Sequence, residues 1–258
     1  MNNTDLTKSI GKRLRDKLTT EERYVPKPVR RNLYFSSIIL IVTGSLLFLS
    51  LVIQVMNNIG IVNIDHSVEK WFVIIRMPFL TTVNTVLAVI FGPVSLPIII
   101  FVITVLWIIF AKHAWRPLVL AGFMGLGVFF IQILTRIVQR HRPPIDLMLF
   151  GQDTTYSFPS GHVSGTSDFF LLLSYLIVSR KPTRRRIAIA IVIATIGISS
   201  QVFSRLYLGY HWLSDTLASI SLAMIILGIV MALDTKRTVR IPGEKVTGEL
   251  SKVQTENT

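Results

Sequence analysis

Hydrophobic positions in this chain gather into long, nearly unbroken runs instead of the short alternating patches of a soluble domain. Six runs reach or approach the ~20 apolar residues that a helix needs to cross a bilayer. They cover about Leu33 to Val55, Leu96 to Ala111, Leu118 to Val138, Val163 to Val178, Ile187 to Phe203, and Trp212 to Leu233. Thr81 to Phe91 is also apolar but short, and Gly92-Pro93 and Pro97 punctuate its exit. That pattern predicts an interfacial or partly inserted helix leading into the second span. Before it, Val68, Trp71, Phe72 and Ile75 recur at i, i+3, i+4, i+7 among polar residues, the spacing of a helix lying on a membrane surface. The expected fold is therefore all-α: a polytopic membrane protein of six transmembrane helices, with an interfacial amphipathic helix after the first span. A basic tail (1–32) and a polar tail (234–258) flank one membrane domain (33–233).

Composition agrees with this class. Of 258 residues, 51% are hydrophobic and only 16% charged, an unusual balance for a soluble domain. The absence of cysteine excludes disulfides, thiolate catalysis and Cys-ligated metal sites. A net charge of +13 invites a nucleic-acid reading, but the basic residues flank hydrophobic spans, where topology and anionic lipid account for them. With six spans, 21 of the 27 lysines and arginines, Lys112 and Arg116 of the loop after the second span among them, fall on one side, which is assigned to the cytoplasm with both termini. The other six are Lys70, Arg76, Arg136, Arg140, Arg142 and Arg205, on the outer face of a cell membrane. In the N-terminal tail, Ile10, Leu14 and Leu18 stand at helical spacing among basic residues, which fits either an inner-leaflet helix or a disordered basic tail. A cleaved signal peptide is not expected, because the charged and apolar segments are both too long.

Three short polar segments sit at the outer ends of these runs, and charge beside hydrocarbon points to function. The first is Arg140-His141-Arg142-Pro143. Guanidinium forks match phosphate oxygens in bidentate geometry, although an isolated pair also fits arginines snorkelling to headgroups. In the second, Pro159-Ser160-Gly161-His162, Ser160 caps a helix whose first amides suit an anion, and His162 stands beside it able to exchange a proton. Taken alone, this is also an ordinary helix start. The third, Ser204-Arg205 followed by His211 and Asp215, places the last two at i, i+4 on one helical face. An aspartate behind a histidine fixes its tautomer and stabilises its cationic or phosphorylated form. A zinc site drawing on His141 and His162 is the main rival, disfavoured by repulsion from the neighbouring arginines.

Together the three segments resemble the type 2 phosphatidic acid phosphatase superfamily, whose pattern is a lysine, six residues, Arg-Pro; then Pro-Ser-Gly-His; then Ser-Arg, five residues, His, three residues, Asp. The second and third elements match in full, and the resemblance covers about Leu118 to Leu233. It implies that His211 is the nucleophile and becomes phosphohistidine, oriented by Asp215. His162 would protonate the leaving oxygen and then activate water. Arg142, Arg205, Ser160 and the Gly161 amide would hold the phosphate. No metal or other cofactor is implied.

One element departs from the pattern. The family lysine falls at Thr135, and Arg140 is expected to supply the missing phosphate contact, with Arg136 as the other candidate. Asp168, six residues beyond His162, lies ~9 Å below it, and Arg136 lies at a similar depth below Arg142, so an Arg136–Asp168 ion pair is expected under the site. The substrate is a membrane lipid phosphate or diphosphate, with undecaprenyl pyrophosphate placed first and phosphatidylglycerophosphate or phosphatidic acid beside it. A lipid phosphotransferase built on the same site, or a lipid-phosphate transporter without turnover, are the other readings. The intact His162, His211 and Asp215 set argues against a pure binder, and the spans exclude a soluble vanadate-dependent oxidase.

Overall fold

The computed structural model describes residues 25–111 and 114–236. Ile10, Leu14, Leu18 and Lys112 lie outside those residues, as do both tails in large part. Helix α1 (Lys27–Met56) begins on Pro26 and Pro28, whose fixed φ suits a first turn, and runs for 30 residues. Short helix α2 (Ile61–Ile74) follows. Helices α3 (Pro78–Ile90) and α4 (Ser95–Phe110) meet at 50° across Gly92-Pro93, where proline lacks the amide needed to continue a helix. Then come α5 (Trp115–Val138), α6 (Gly161–Val178), α7 (Arg184–Tyr207) and α8 (Leu213–Lys236). Helices α1, α5, α6, α7 and α8 are each long and apolar enough to cross a membrane, and the bent α3–α4 pair, taken as one broken span, brings the number to six. This is the six-span, all-α plan expected from hydropathy.

α8 is the central helix, and small side chains let its neighbours approach. Lipid offers no hydrophobic drive between helices, so close van der Waals packing carries the association. A Cβ at Gly44 of α1 would stand 2.7 Å from the Ser221 carbonyl of α8. In the reverse direction, a Cβ at Gly228 would stand 2.8 Å from the Ser37 carbonyl, and Ser37 Oγ donates to the Gly228 carbonyl at 2.6 Å. Leu120, Leu172, Leu176 and Val230 fill the core between α5, α6 and α8 with no exposed surface. Exposed large apolar side chains such as Phe35, Leu46, Phe101, Ile191 and Ile196 face outward, as a lipid-contacting surface requires.

Two details differ from the sequence reading. Arg116, counted with the loop after the second span, lies inside α5 and is fully buried. It pairs with Asp234 of α8 at 3.1 Å and donates to Ser179 Oγ and the Leu176 carbonyl, while Tyr175 Oη donates to Asp234 at 3.0 Å. The network ties α5, α6 and α8 together at the end opposite the three polar segments. The second difference concerns α2. Phe72, Val68 and Ile75 pack on Leu206, Tyr207, Leu208 and Tyr210, and only Trp71 of the expected lipid-facing set remains exposed. The last turn of α7 leaves apolar surface at this level, and α2 covers it, so the apolar face of α2 is spent on protein.

Candidate active site

All three polar segments converge at the end of the bundle where α5 and α7 finish and α6 and α8 begin. α5 stops at Val138 because Gln139 adopts a left-handed conformation (φ 50°), which turns Arg140, His141 and Arg142 out of the helix. The chain returns through Ser157, whose amide donates to the Arg140 carbonyl at 2.8 Å and whose hydroxyl donates to the His141 carbonyl at 3.1 Å. Ser160 then caps α6 by accepting from the Val163 amide at 3.4 Å. Gly161 opens that helix exposed, and half-buried His162 follows.

His211 is the best-fixed of the candidate residues. Only 5% exposed, it directs Nδ1 to the Ser157 carbonyl at 2.9 Å, with Asp215 Oδ2 at 3.5 Å behind it. Its other nitrogen, Nε2, lies 3.2 Å from the Arg142 guanidinium. With the proton on Nδ1, Nε2 carries the lone pair on the side where a cation stands ready for an anion. Burial, then the charges of Arg142 and Arg205, hold the His211 imidazole well below its usual range, so it is neutral and able to act as a nucleophile.

The cations around it are Arg142 and Arg205. Arg142 donates to the Tyr210 carbonyl at 2.7 Å and to Thr155 through its carbonyl and its hydroxyl, and pairs with Asp153 at 2.8 Å. Burial alone would raise the Asp153 carboxyl, but hydrogen bonds from Thr155 and the Arg142 charge hold it below the usual carboxylate range. Arg205 is 4% exposed, lies 4.4 Å over the Tyr210 ring and leaves Nε without a hydrogen-bond partner. His162 stands within electrostatic reach of Arg142, Arg205 and His211. Beside His162 and Gly161 opens a cavity of about 420 Å³ between the α3–α4 bend, α5 and α6, lined by apolar residues including Phe91, Leu96, Met124 and Val128. Gly92 belongs to that bend, and a Cβ there would approach His162 Nε2 to 3.6 Å. Among the described residues, no three His, Cys, Asp or Glu side chains are grouped to hold a metal ion.

Two expectations are corrected. Arg140 does not face the space between Arg142 and His162. Its guanidinium is taken by two carboxylates, Asp65 at 2.7 Å and Asp215 at 2.7 Å, and it lies 5.4 Å over the Trp212 ring. The Arg136–Asp168 pair is absent as well. Asp168 is 1% exposed and faces Gly127 of α5, nine residues or ~13 Å along the helix from exposed Arg136; its Oδ1 has no hydrogen-bond partner. Gln139 turns Arg142 out of α5, so six residues back from Arg142 is not a helical depth: Arg136 sits in the last turn of α5, while Asp168 lies deeper, opposite Gly127. Sequence reasoning missed Asp65, Asp153, Thr155 and Ser157. Asp65 sits near His66, Glu69 and Lys70 and reads as part of a solvated face, while Ser157 acts through its backbone carbonyl, which no side-chain pattern encodes.

A histidine, its aspartate and two arginines gather at one polar end of a bundle of helices long and apolar enough to cross a membrane, an arrangement suited to holding a phosphoryl group. The PAP2 superfamily model matches residues 116–238, which span α5 through α8 and every motif of the site. The chain is 26% identical over 193 residues to phosphatidylglycerophosphatase B of Bacillus subtilis (strain 168), covering 74% of this chain and 93% of the relative. The fold is similar, with a TM-score of 0.68 and 26% identity, to the crystal structure of a transmembrane PAP2-type phosphatidylglycerolphosphate phosphatase from Bacillus subtilis. That match covers 76% of this chain and 96% of the other. The apolar helices and these likenesses make the protein a multi-pass membrane protein similar to membrane lipid phosphatases.

Proposed function

We propose that the protein hydrolyses a lipid phosphate ester at the outer face of a cell membrane, through a phosphohistidine on His211 and without a metal. The observation that carries this reading is the neutral, buried His211, its Nδ1 held by Ser157 and Asp215 and its Nε2 turned to Arg142. Arg142, Arg205, the Ser160 hydroxyl and the Gly161 amide would grip the equatorial oxygens as Nε2 attacks phosphorus in line. The P–O bond to the lipid then breaks, and His162 donates a proton to the departing oxygen. In the second step His162 takes a proton from water, the water attacks phosphorus, and the P–N bond to His211 breaks to release phosphate.

The cavity beside His162 admits an amphiphile whose phosphate lies at the headgroup plane and whose chain lies between α4, α5 and α6. We put phosphatidylglycerophosphate first among substrates because the names of two similar proteins carry it, ahead of undecaprenyl pyrophosphate, which the sequence reading preferred. The outer-face assignment rests on the lysine and arginine asymmetry of the loops. The test is phosphate release in detergent with EDTA from phosphatidylglycerophosphate, phosphatidic acid and undecaprenyl pyrophosphate, comparing wild type with His211→Ala. Release in EDTA that His211→Ala abolishes is the expected result. Activity surviving the substitution would remove His211 as nucleophile, and activity lost to EDTA would call for a metal.

A further inference from the structure

α2 carries one buried carboxylate that the three motifs do not include. Asp65 is 1% exposed and sits where α2 crosses the start of α8. Its Oδ1 accepts from the Ser214 amide at 2.9 Å, and its Oδ2 accepts from Ser214 Oγ at 2.6 Å and from Arg140 at 2.7 Å. The other arm of Arg140 reaches Asp215 Oδ1 at 2.7 Å, and the Trp212 amide donates to Asp215 Oδ2 at 2.9 Å. Arg140 also accepts, through its carbonyl, the amide of Ser157. Both groups that hold His211 Nδ1, the Ser157 carbonyl and the Asp215 carboxylate, are therefore attached to Arg140, and Arg140 is anchored by Asp65.

We infer that Asp65 and Arg140 are positioning residues for the reaction, acting through Asp215 and Ser157 on His211. The inference rests on the reading of His211 as nucleophile. An ordinary buried ion pair needs one partner; here one guanidinium bridges two carboxylates with separate nitrogens, a geometry that the point charge of a lysine cannot reproduce. The charge distribution gives the two residues opposite effects. Arg140 draws the Asp215 charge away from the imidazole, so its loss makes His211 more basic. Asp65 draws the Arg140 charge away from Asp215, so its loss leaves Asp215 more fully neutralised and His211 less basic. The other charged or titratable groups facing His211 are Arg142, Arg205, Asp153 and His162, and none of them contacts α2 through Asp65. The competing purely structural role for Asp65 is an N-terminal cap on α8.

Asp65→Asn separates the two roles, because asparagine keeps an oxygen for the Ser214 amide and loses the charge on Arg140. Kinetics on dioctanoyl phosphatidic acid in detergent, using only the monodisperse fraction of each full-length variant, read the result. The expected outcome is a kcat lower by roughly ten- to hundredfold for Asp65→Asn and Arg140→Gln, the size typical of groups that orient a reacting side chain, with KM within about twofold of wild type. The acid limb of kcat/KM moves to lower pH in Asp65→Asn and to higher pH in Arg140→Gln. If Arg140→Gln gives no monodisperse fraction, Arg140→Lys carries the same kcat-against-KM reading. A raised KM at unchanged kcat would show Arg140 gripping phosphate and overturn the inference. So would wild-type kinetics in Asp65→Asn, or a fall in kcat with no movement of the acid limb. His211→Ala is run alongside: activity there sinks the nucleophile reading itself, whereas an inactive His211→Ala beside an unaffected Asp65→Asn sinks only the positioning role.

Discussion

Asp153 occupies the guanidinium of Arg142, which the proposed reaction assigns to the substrate phosphate. Its carboxylate pairs with that guanidinium at 2.8 Å and is fixed by Thr155 at 2.7 Å. Substrate must displace it, so Asp153→Asn should lower KM for a lipid phosphate several-fold while leaving kcat near wild type; an unchanged or raised KM in steady-state kinetics would contradict this. His211 makes a second prediction at this scale. Its imidazole is held below its usual range by burial and by Arg142 and Arg205, so the folded state favours the neutral ring. Below about pH 6.5 the unfolded chain takes up a proton that the folded one refuses, and stability falls as pH falls. Replacing His211 with asparagine should flatten that acid-side loss in thermal unfolding scanned between about pH 7 and pH 5. A slope that steepens or does not change would contradict the assignment.

The helices were legible from hydropathy because a bilayer dictates both the length and the polarity of its spans. Leu33 to Val55 and Trp212 to Leu233 each lie in one continuous helix to within a residue. What hydropathy did not reveal was which helix faces which. Glycines at 44 and 228 set the α1–α8 contact, yet in sequence they read as ordinary small residues. The amphipathic stripe of α2 was visible, but a stripe fits lipid and protein equally well. Arg116 is a similar case: beside Lys112 it read as a loop cation, while its ion pair with Asp234 lies 118 residues away in sequence. Removing one partner of such a buried pair costs about 3–5 kcal/mol, whereas an apolar exchange of both is often near neutral. Arg116→Met alone should lower the unfolding temperature in detergent clearly, and Arg116→Met with Asp234→Leu should recover most of the loss. No recovery in the double variant would show that the network does more than neutralise charge.

At the scale of the whole molecule, the motifs resemble those of one family, and the bundle brings residues so distant in sequence to one place. Four spans, α5 to α8, bring their ends to one polar layer, and α2 closes that layer from the side. The histidine, aspartate and arginine motifs were readable because each chemistry requires its own residue types at fixed spacing. Thr135 was also visible as a departure from the pattern, but no spacing in the chain reveals that Asp65 and Asp215 engage the Arg140 guanidinium. That leaves Arg142 and Arg205 as the arginines proposed for the phosphate.

The central claim is a covalent phosphoryl group on His211, and rapid quenching of the enzyme with a phosphorus-labelled lipid phosphate tests it most directly. An acid-labile, alkali-stable label is expected on the peptide containing His211 of the wild type and absent from His211→Ala. Turnover with no label on the protein, or a label that persists in His211→Ala, would contradict it.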